Sequence, residues 1–315
     1  MRVINISHSD YANFSYYVGE SMKSVGINTD SYILKKHPFN YAKQAHHVNA
    51  DKIIEECLKA DIIQVMHTCG TMWDIVKFLN KPIVVWHTGT RYRQGYDKHN
   101  PRWNPLAVKH ICVLPELMKL GCINPEFISM TVETDRFTPD YATPDILRIA
   151  HYPSNQIVKG TKEILNMMRK ITTHHRKHRF SYDIKRVDFR AQIKRMAECD
   201  IYIELFAPKQ DGYEYGSFGT TALEAAAMGK IVVTNNINDD VYQKYYGKSE
   251  LVIANTFTKF DSAMRELLDM SREEIIEKKQ KTRLWVEKNH SLKATGTRIQ
   301  EMLKGVLNQR QPSEC

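Results

Sequence analysis

The sequence contains no Asp-x-Asp triplet, no Cys-x-x-Cys pair, no run of about 20 apolar residues and no low-complexity tract. Each absence narrows the chemistry. The six cysteines are scattered, at 57, 69, 112, 122, 199 and 315. That spacing defines neither a disulfide framework nor a zinc site, and a reducing cytoplasm is expected. Without a long apolar run, no transmembrane helix is expected. Met1-Arg2-Val3-Ile4-Asn5-Ile6 enters a strand-like run directly, without the basic-then-apolar pattern of a signal peptide. With no Asp-x-Asp, nothing points to a metal-held diphosphate. His174, His175 and His178 lie in a basic run without a carboxylate, so no metal is expected there either.

The chain has 315 residues, 42% hydrophobic and 26% charged, which suits two soluble α/β domains of about 150 residues each. Its net charge of +9 is uneven. Residues 1–150 hold 17 Lys or Arg and 15 Asp or Glu, whereas residues 159–196 hold 12 and 3. Such a basic stretch fits nucleic acid, an anionic membrane face or a charged glycan, or forms a solvated helix surface.

Short apolar runs alternate with helical patterns throughout. Strands are expected at 3–7, 29–34, 61–67, 82–87, 110–114 and 127–131, then at 147–152, 182–187, 201–206, 231–234 and 251–254. Helices are expected at 14–25, 51–59, 71–79, 115–120, 160–173, 190–199, 259–270, 272–287 and 291–307. This alternation indicates two parallel, doubly wound sheets whose ligands sit beyond the carboxyl ends of the strands. Asp135–Asp145, with two prolines, reads as a linker.

The richest segment runs from Gly216 to Gly229, then into Lys230-Ile231-Val232-Val233-Thr234. It is a glycine loop, a small-residue helix with one Glu, a glycine stop and a buried strand. The loop offers backbone N–H groups to a diphosphate. Glu224, among apolar neighbours, needs a partner such as ribose hydroxyls. A second loop, Ser154-Asn155-Gln156-Ile157-Val158-Lys159-Gly160, offers a cation at Lys159, close backbone approach at Gly160 and side-chain donors at Ser154 and Asn155.

Together these segments resemble the retaining glycosyltransferases of family 4. Val132-Glu133-Thr134-Asp135-Arg136-Phe137 is similar to the family's crossing between domains, Lys159-Gly160 to its phosphate loop, and Ser217-Phe218-Gly219 through Glu224 to Gly229 to its donor motif. The last helix resembles the one that returns to the first domain. The resemblance implies a GT-B fold: an acceptor domain at 1–140, a donor domain at 141–290, a returning helix at 291–307 and a tail at 308–315, with a central cleft. It implies donor binding by Ser154, Asn155, Lys159, Gly160, Tyr215, Gly216, Ser217, Phe218, Gly219, Thr220 and Glu224. It also implies a sugar-contacting His87, with Asn13, His67, Gly89, Thr90 and Arg91 lining the cleft and Arg93 near an anionic group. Two departures stand out. The family's first motif glutamate falls on Gly216, which leaves Glu214 as the nearest acid for catalysis beside His87 and Lys159. The family's arginine before the lysine is absent.

The implied activity is transfer of a sugar from a nucleotide-diphosphate donor to a hydroxyl, with retention and with no cofactor or metal. The expected acceptor is a cell-envelope glycan or lipid-linked sugar, with peripheral contact at an anionic inner membrane face. DNA carrying a hydroxymethylated base is the alternative acceptor. An inactive binding subunit and a sugar-nucleotide epimerase are the alternatives to transfer.

Overall fold

The computed structural model describes residues 1–37, 39–207, 209–210, 213–214, 218–235 and 239–308. The chain forms two compact units: Met1–Thr131 with the chain from His290 onward, and Val132–Asn289.

The first unit runs β1 (Arg2–Ser9), α1 (Phe14–Lys23), β2 (Asn28–Lys35), β3 (His46–His47), α2 (Ala50–Lys59), β4 (Ile62–Val65), α3 (Gly70–Val76), β5 (Ile83–His87), α4 (Gly89–Trp103), β6 (Lys109–Cys112) and β7 (Pro125–Phe127). The sheet order is β3-β2-β1-β4-β5-β6-β7, and its strands pair in parallel, with Val3 opposite both Thr29 and Ile62. Every residue of β4 and β5 is buried, as expected when helices cover both faces of a parallel sheet. Phe14, Val18 and Met22 of α1 pack on one face, Ile53 and Cys57 of α2 with Met72 and Val76 of α3 on the other. Helix ends follow local chemistry: Asn49 Oδ1 accepts from Lys52 N at 2.9 Å to cap α2. Asp10 accepts from Ser15 N at 2.6 Å and Tyr16 N at 3.0 Å at the start of α1.

The second unit runs β8 (Arg148–His151), α5 (Thr161–His174), β9 (Arg179–Tyr182), α6 (Phe189–Ala197), β10 (Ile201–Ile203), β11 (Lys209–Gln210), β12 (Tyr213–Glu214), α7 (Thr220–Ala227), β13 (Ile231–Thr234), α8 (Asp239–Tyr246), β14 (Val252–Ile253), α9 (Phe257–Asp269) and α10 (Arg272–His290). Its sheet is parallel, in the order β14-β13-β10-β8-β9. Buried cations on α10 fasten the entering segment. Lys279 Nζ donates to Asp200 Oδ1 and Ala142 O, both at 2.9 Å. Arg283 donates to the carbonyls of Thr134, Phe137 and Ala227. The segment read as a linker is thereby tied into the second unit.

Helix α11 (Leu292–Asn308) rejoins the first unit and buries Ile299, Met302, Leu303 and Val306 in the core that contains α1. Four expectations shift. Helix α4 carries Gly95 and Pro101, and its burial is confined to Tyr92, Arg93 and Trp103, so the sequence shows no clear periodicity there. Strand β9 starts at Arg179, earlier than the apolar residues near 184 suggest. Residues Pro115–Lys119 form a 3-10 turn, and β7 precedes the expected 127–131 run.

A Cβ at Gly296 would overlap Ser21 O and stand 3.1 Å from Val25 Cγ1. Gly296→Ala should therefore force α11 away from α1 and cost about 1–3 kcal/mol in urea unfolding. An unchanged midpoint would show that this close approach carries no packing energy.

Candidate functional site

Each sheet reverses its strand order once, and the loops diverge there to leave a crevice at the carboxyl ends. In the second unit the reversal lies between β8 and β10, because β9 flanks β8 on one side while β10 and β13 extend the other. The polar residues leaving these two strands meet. His151 ends β8 fully buried, donating Nδ1–H to Ile203 O at 2.8 Å and placing Nε2 2.9 Å from Thr161 Oγ1. Burial pulls its pKa down to about 4, so the ring is neutral.

Gly160 then turns the chain with φ +64°, and a Cβ there would overlap Phe206 O. No other residue type allows this approach. The turn aims Lys159 inward, 8% exposed, into an ion pair with Glu204. Glu204 follows β10 and is itself 1% exposed. Its Oε1 also accepts from Gly219 N at 3.2 Å, and its Oε2 accepts from Thr234 Oγ1 at 3.0 Å. One carboxylate thus gathers the lysine and the loop amide that the sequence assigns to a diphosphate. Glu204 itself was hidden in an apolar strand run; an acid inside Ile201–Phe206 was the only signal of it.

Glu224 lies in α7 at 3% exposure. Among the described residues nothing donates a hydrogen bond to its carboxylate. Burial raises its pKa to about 7, while the positive charges of Arg136 and Lys159 pull the other way. Arg136 stacks over the Phe189 ring at 4.6 Å.

The other expected donor residues divide. Asn155 spends its Oδ1 on Ile157 N at 3.0 Å and Val158 N at 3.1 Å, so it shapes the loop with that atom. Ser154 is exposed in the same loop. Phe218 is buried edge-on against Tyr242 and Trp285, and Thr220 begins α7. Tyr215, Gly216 and Ser217 lie outside the described residues. Glu214 belongs to β12 with its backbone opposite Lys209.

In the first unit the reversal lies between β1 and β4. Left-handed backbone clusters in the loops that leave them, at Ala12 (φ 56°), Asn13 (φ 57°), His67 (φ 63°) and Thr68 (φ 48°). Such non-glycine residues cost about 1–3 kcal/mol each and concentrate at functional sites. His67 Nε2 stands 3.3 Å from Asp10 Oδ1 and Nδ1 2.8 Å from Thr88 Oγ1. Asn13 donates to Lys43 O at 2.9 Å. Both are buried beneath the crevice, where the unit's own groups hold them, and do not line an open face. Tyr11, 48% exposed, edges against His67 and lies 6.0 Å under the Arg91 guanidinium. Gly89 (φ 48°) and Thr90 open α4, with Arg91 exposed in its first turn.

Two expectations are corrected here. His87 is 0% exposed, with Nδ1 2.9 Å from Thr68 Oγ1 and Nε2 2.8 Å from His110 Nδ1, so its ring has no open edge for a sugar. Burial lowers its pKa, which keeps it neutral. Arg93 is buried and paired with Glu116, because α4 turns it inward. The basic stretch also divides: Lys159 turns into the site and Arg195 pairs with Asp183 at 3.2 Å. Lys162, Arg169, Lys170, Arg176, Lys177, Arg179, Lys185, Arg190 and Lys194 are exposed on or beside α5, β9 and α6.

No protein-family model matches the sequence, and no curated protein is a significant match. Solved structures do match. Anabaena HepE in complex with UDP-glucose is 10% identical with a TM-score of 0.69, over 97% of this chain and 100% of that one. Sucrose-phosphate synthase from Thermosynechococcus elongatus is 13% identical with a TM-score of 0.63, over 98% and 100%. A trehalose-6-phosphate synthase studied for glycosyl transfer with retention is 10% identical with a TM-score of 0.65, over 97% and 99%. The chain has the GT-B fold of these glycosyltransferases. No helix among the described residues is long and apolar enough to cross a membrane.

Removing Glu204 should take from the buried Lys159 its ion-pair partner. Glu204→Ala is expected to cost about 3–5 kcal/mol in denaturant unfolding. A loss under about 1 kcal/mol would mean that the pair is solvated. The raised pKa of Glu224 has a stability consequence of definite sign. The folded chain holds that proton more tightly than the unfolded chain, whose value is 4.5. Its contribution is therefore full below 4.5 and is lost as pH rises through about 7. Glu224→Gln should remove that part of the decline when unfolding is compared across this range; identical slopes would place the carboxyl in water.

Proposed function

We propose that this chain is a retaining, family-4-like glycosyltransferase that moves a sugar from a nucleoside-diphosphate donor to a hydroxyl acceptor. The observation that carries the proposal is the meeting of Lys159, Gly160 and the Gly219 amide in the second unit's crevice, with the buried Glu224 carboxyl close enough to feel the Lys159 charge. The fold shared with a UDP-glucose complex supports it.

In this reading the donor diphosphate lies against the Lys159 ammonium and the N-terminal amides of α7. Glu204 holds both in place before the donor arrives and accepts their hydrogen bonds meanwhile. The diphosphate shares these donors with Glu204 or displaces it. Lys159 and the helix amides then stabilise the charge that grows on the leaving phosphate. Glu224 takes the ribose hydroxyls, which supply the donors its carboxylate lacks, and ribose binding stabilises the ionised form near neutral pH. The leaving diphosphate assists attack on the same face of the sugar, so retention needs no pair of carboxylates spaced as in a glycosidase. The catalytic part assigned to Glu214 stays within this proposal, as does a diphosphate site made of protein groups alone. The acceptor in this reading is a glycan or lipid-linked sugar, because the first 150 residues, which carry the acceptor side, have a net charge of only +2.

A thermal-shift panel of nucleotide sugars tests the donor site. A true donor at 100 times its Kd stabilises the chain by about 2.7 kcal/mol, and Glu224→Ala should weaken that donor about tenfold or more. Release of nucleoside diphosphate only with an acceptor present identifies transfer. Conversion of the donor without acceptor would indicate epimerisation, and a panel with no shift would overturn the proposal.

A further inference from the structure

The first unit holds a second polar cluster, separate from the donor crevice. His87 ends β5, and the strand register sets it opposite Cys112 on β6. His110 lies two residues before Cys112 and so shares its face of the sheet. Cys122 comes from the segment that leads into β7. All four are buried, none above 7% exposure. One ligand atom each from His87, His110 and Cys122 lies within 4.8 Å of the others. Cys112 Sγ stands outside that group of three, 3.8 Å from Cys122 Sγ, and would be drawn in as the fourth ligand.

These distances match a particular chemistry. Two thiolates on one tetrahedral zinc, with bonds of about 2.3 Å, stand about 3.8 Å apart. Two imidazole nitrogens at about 2.0–2.1 Å from the metal stand about 3.3 Å apart. His87 Nε2 and His110 Nδ1 are 2.8 Å apart, so the rings need to part by about half an ångström and turn both nitrogens towards one centre.

Hydrogen bonds fix the metal-free tautomers. Thr68 Oγ1 donates to Trp86 O at 3.4 Å and therefore accepts from His87 Nδ1–H. His87 Nε2 then carries a lone pair and accepts from His110 Nδ1–H, which leaves His110 Nε2 a buried lone pair with no donor. Binding through His110 Nδ1 therefore moves that proton to Nε2. Thr68 is the outer partner that would orient a ligating His87.

We propose that His87, His110, Cys112 and Cys122 bind one divalent metal of the zinc class in a closed structural site. Two sulfurs and two imidazoles favour zinc over harder cations. Loading releases the two thiol protons and moves the His110 ring proton from Nδ1 to Nε2. No oxidant is needed. The site pins the Cys122 segment to the ends of β5 and β6, and gives His87 a place that does not depend on the glycosyltransferase reading. The positions 87, 110, 112 and 122 form no Cys-x-x-Cys pattern, which is why the sequence alone gave no sign of a metal.

The test uses the full chain, reduced and stripped of metal, then loaded with zinc or cobalt(II). Wild type should retain about one equivalent through dialysis and show thiolate-to-cobalt charge transfer with tetrahedral d–d bands. Zinc should slow alkylation of Cys112 and Cys122 and leave Cys57 and Cys199 unchanged. Cys112→Ser should roughly halve the charge-transfer band, and Cys122→Ser with His110→Asn should abolish it. Far-ultraviolet circular dichroism reports whether each variant folds. Should the variants unfold, the wild-type metal content and alkylation rates still decide. A folded, reduced wild type holding less than about a tenth of an equivalent overturns the site. So do alkylation rates that zinc does not change.

Discussion

Burying one carboxylate, that of Glu204, organises the second unit's crevice. A charge removed from water needs compensating donors, and here they come from three directions: the Lys159 ammonium, the Gly219 amide and the Thr234 hydroxyl. Those donors belong to the loop before α5, the entrance to α7 and the end of β13. A shift in any of these elements leaves a buried charge short of a partner. The crevice is therefore preorganised, and its positive groups are already committed to an internal anion. An anion entering such a site would meet aligned donors but would have to compete for them.

The same constraint shapes the first unit with different residues. Asp10 accepts two amides at the start of α1 and also faces His67, which reaches Thr88 at the head of α4. Left-handed backbone at Ala12, Asn13, His67 and Thr68 turns those side chains inward. Tyr11 stays exposed beside His67, with the Arg91 guanidinium over its ring. A histidine that ends a strand at the rim of a sheet is thus not automatically a ligand-facing group. His67 and His87 both end up supporting the rim from beneath.

The strands were legible because both faces of each parallel sheet are covered. That produces uninterrupted apolar runs such as Ile83–Trp86 and Ile231–Val233. The loops with strict steric demands were legible too: Gly160 had to be glycine, and Glu224 among alanines announced a buried acid. Helix α4 was not legible, since Gly95 and Pro101 obscure its pattern and its ends are set by packing around Trp103. Glu204 was not legible as a site residue because its partners lie 45, 15 and 30 residues away.

Local chemistry written in the sequence determined the two α/β units, the order of most of their strands and helices, and the close turn at Gly160, because hydrophobic period and glycine sterics act over a few residues. Only the tertiary structure decided which charged groups face one another. Lys159 met a glutamate, Arg93 was drawn into a pair with Glu116, and His87 joined His110 and two cysteines in the interior. Desolvation and Coulomb attraction depend on separations of a few ångströms, and those separations exist only once distant strands have been laid side by side.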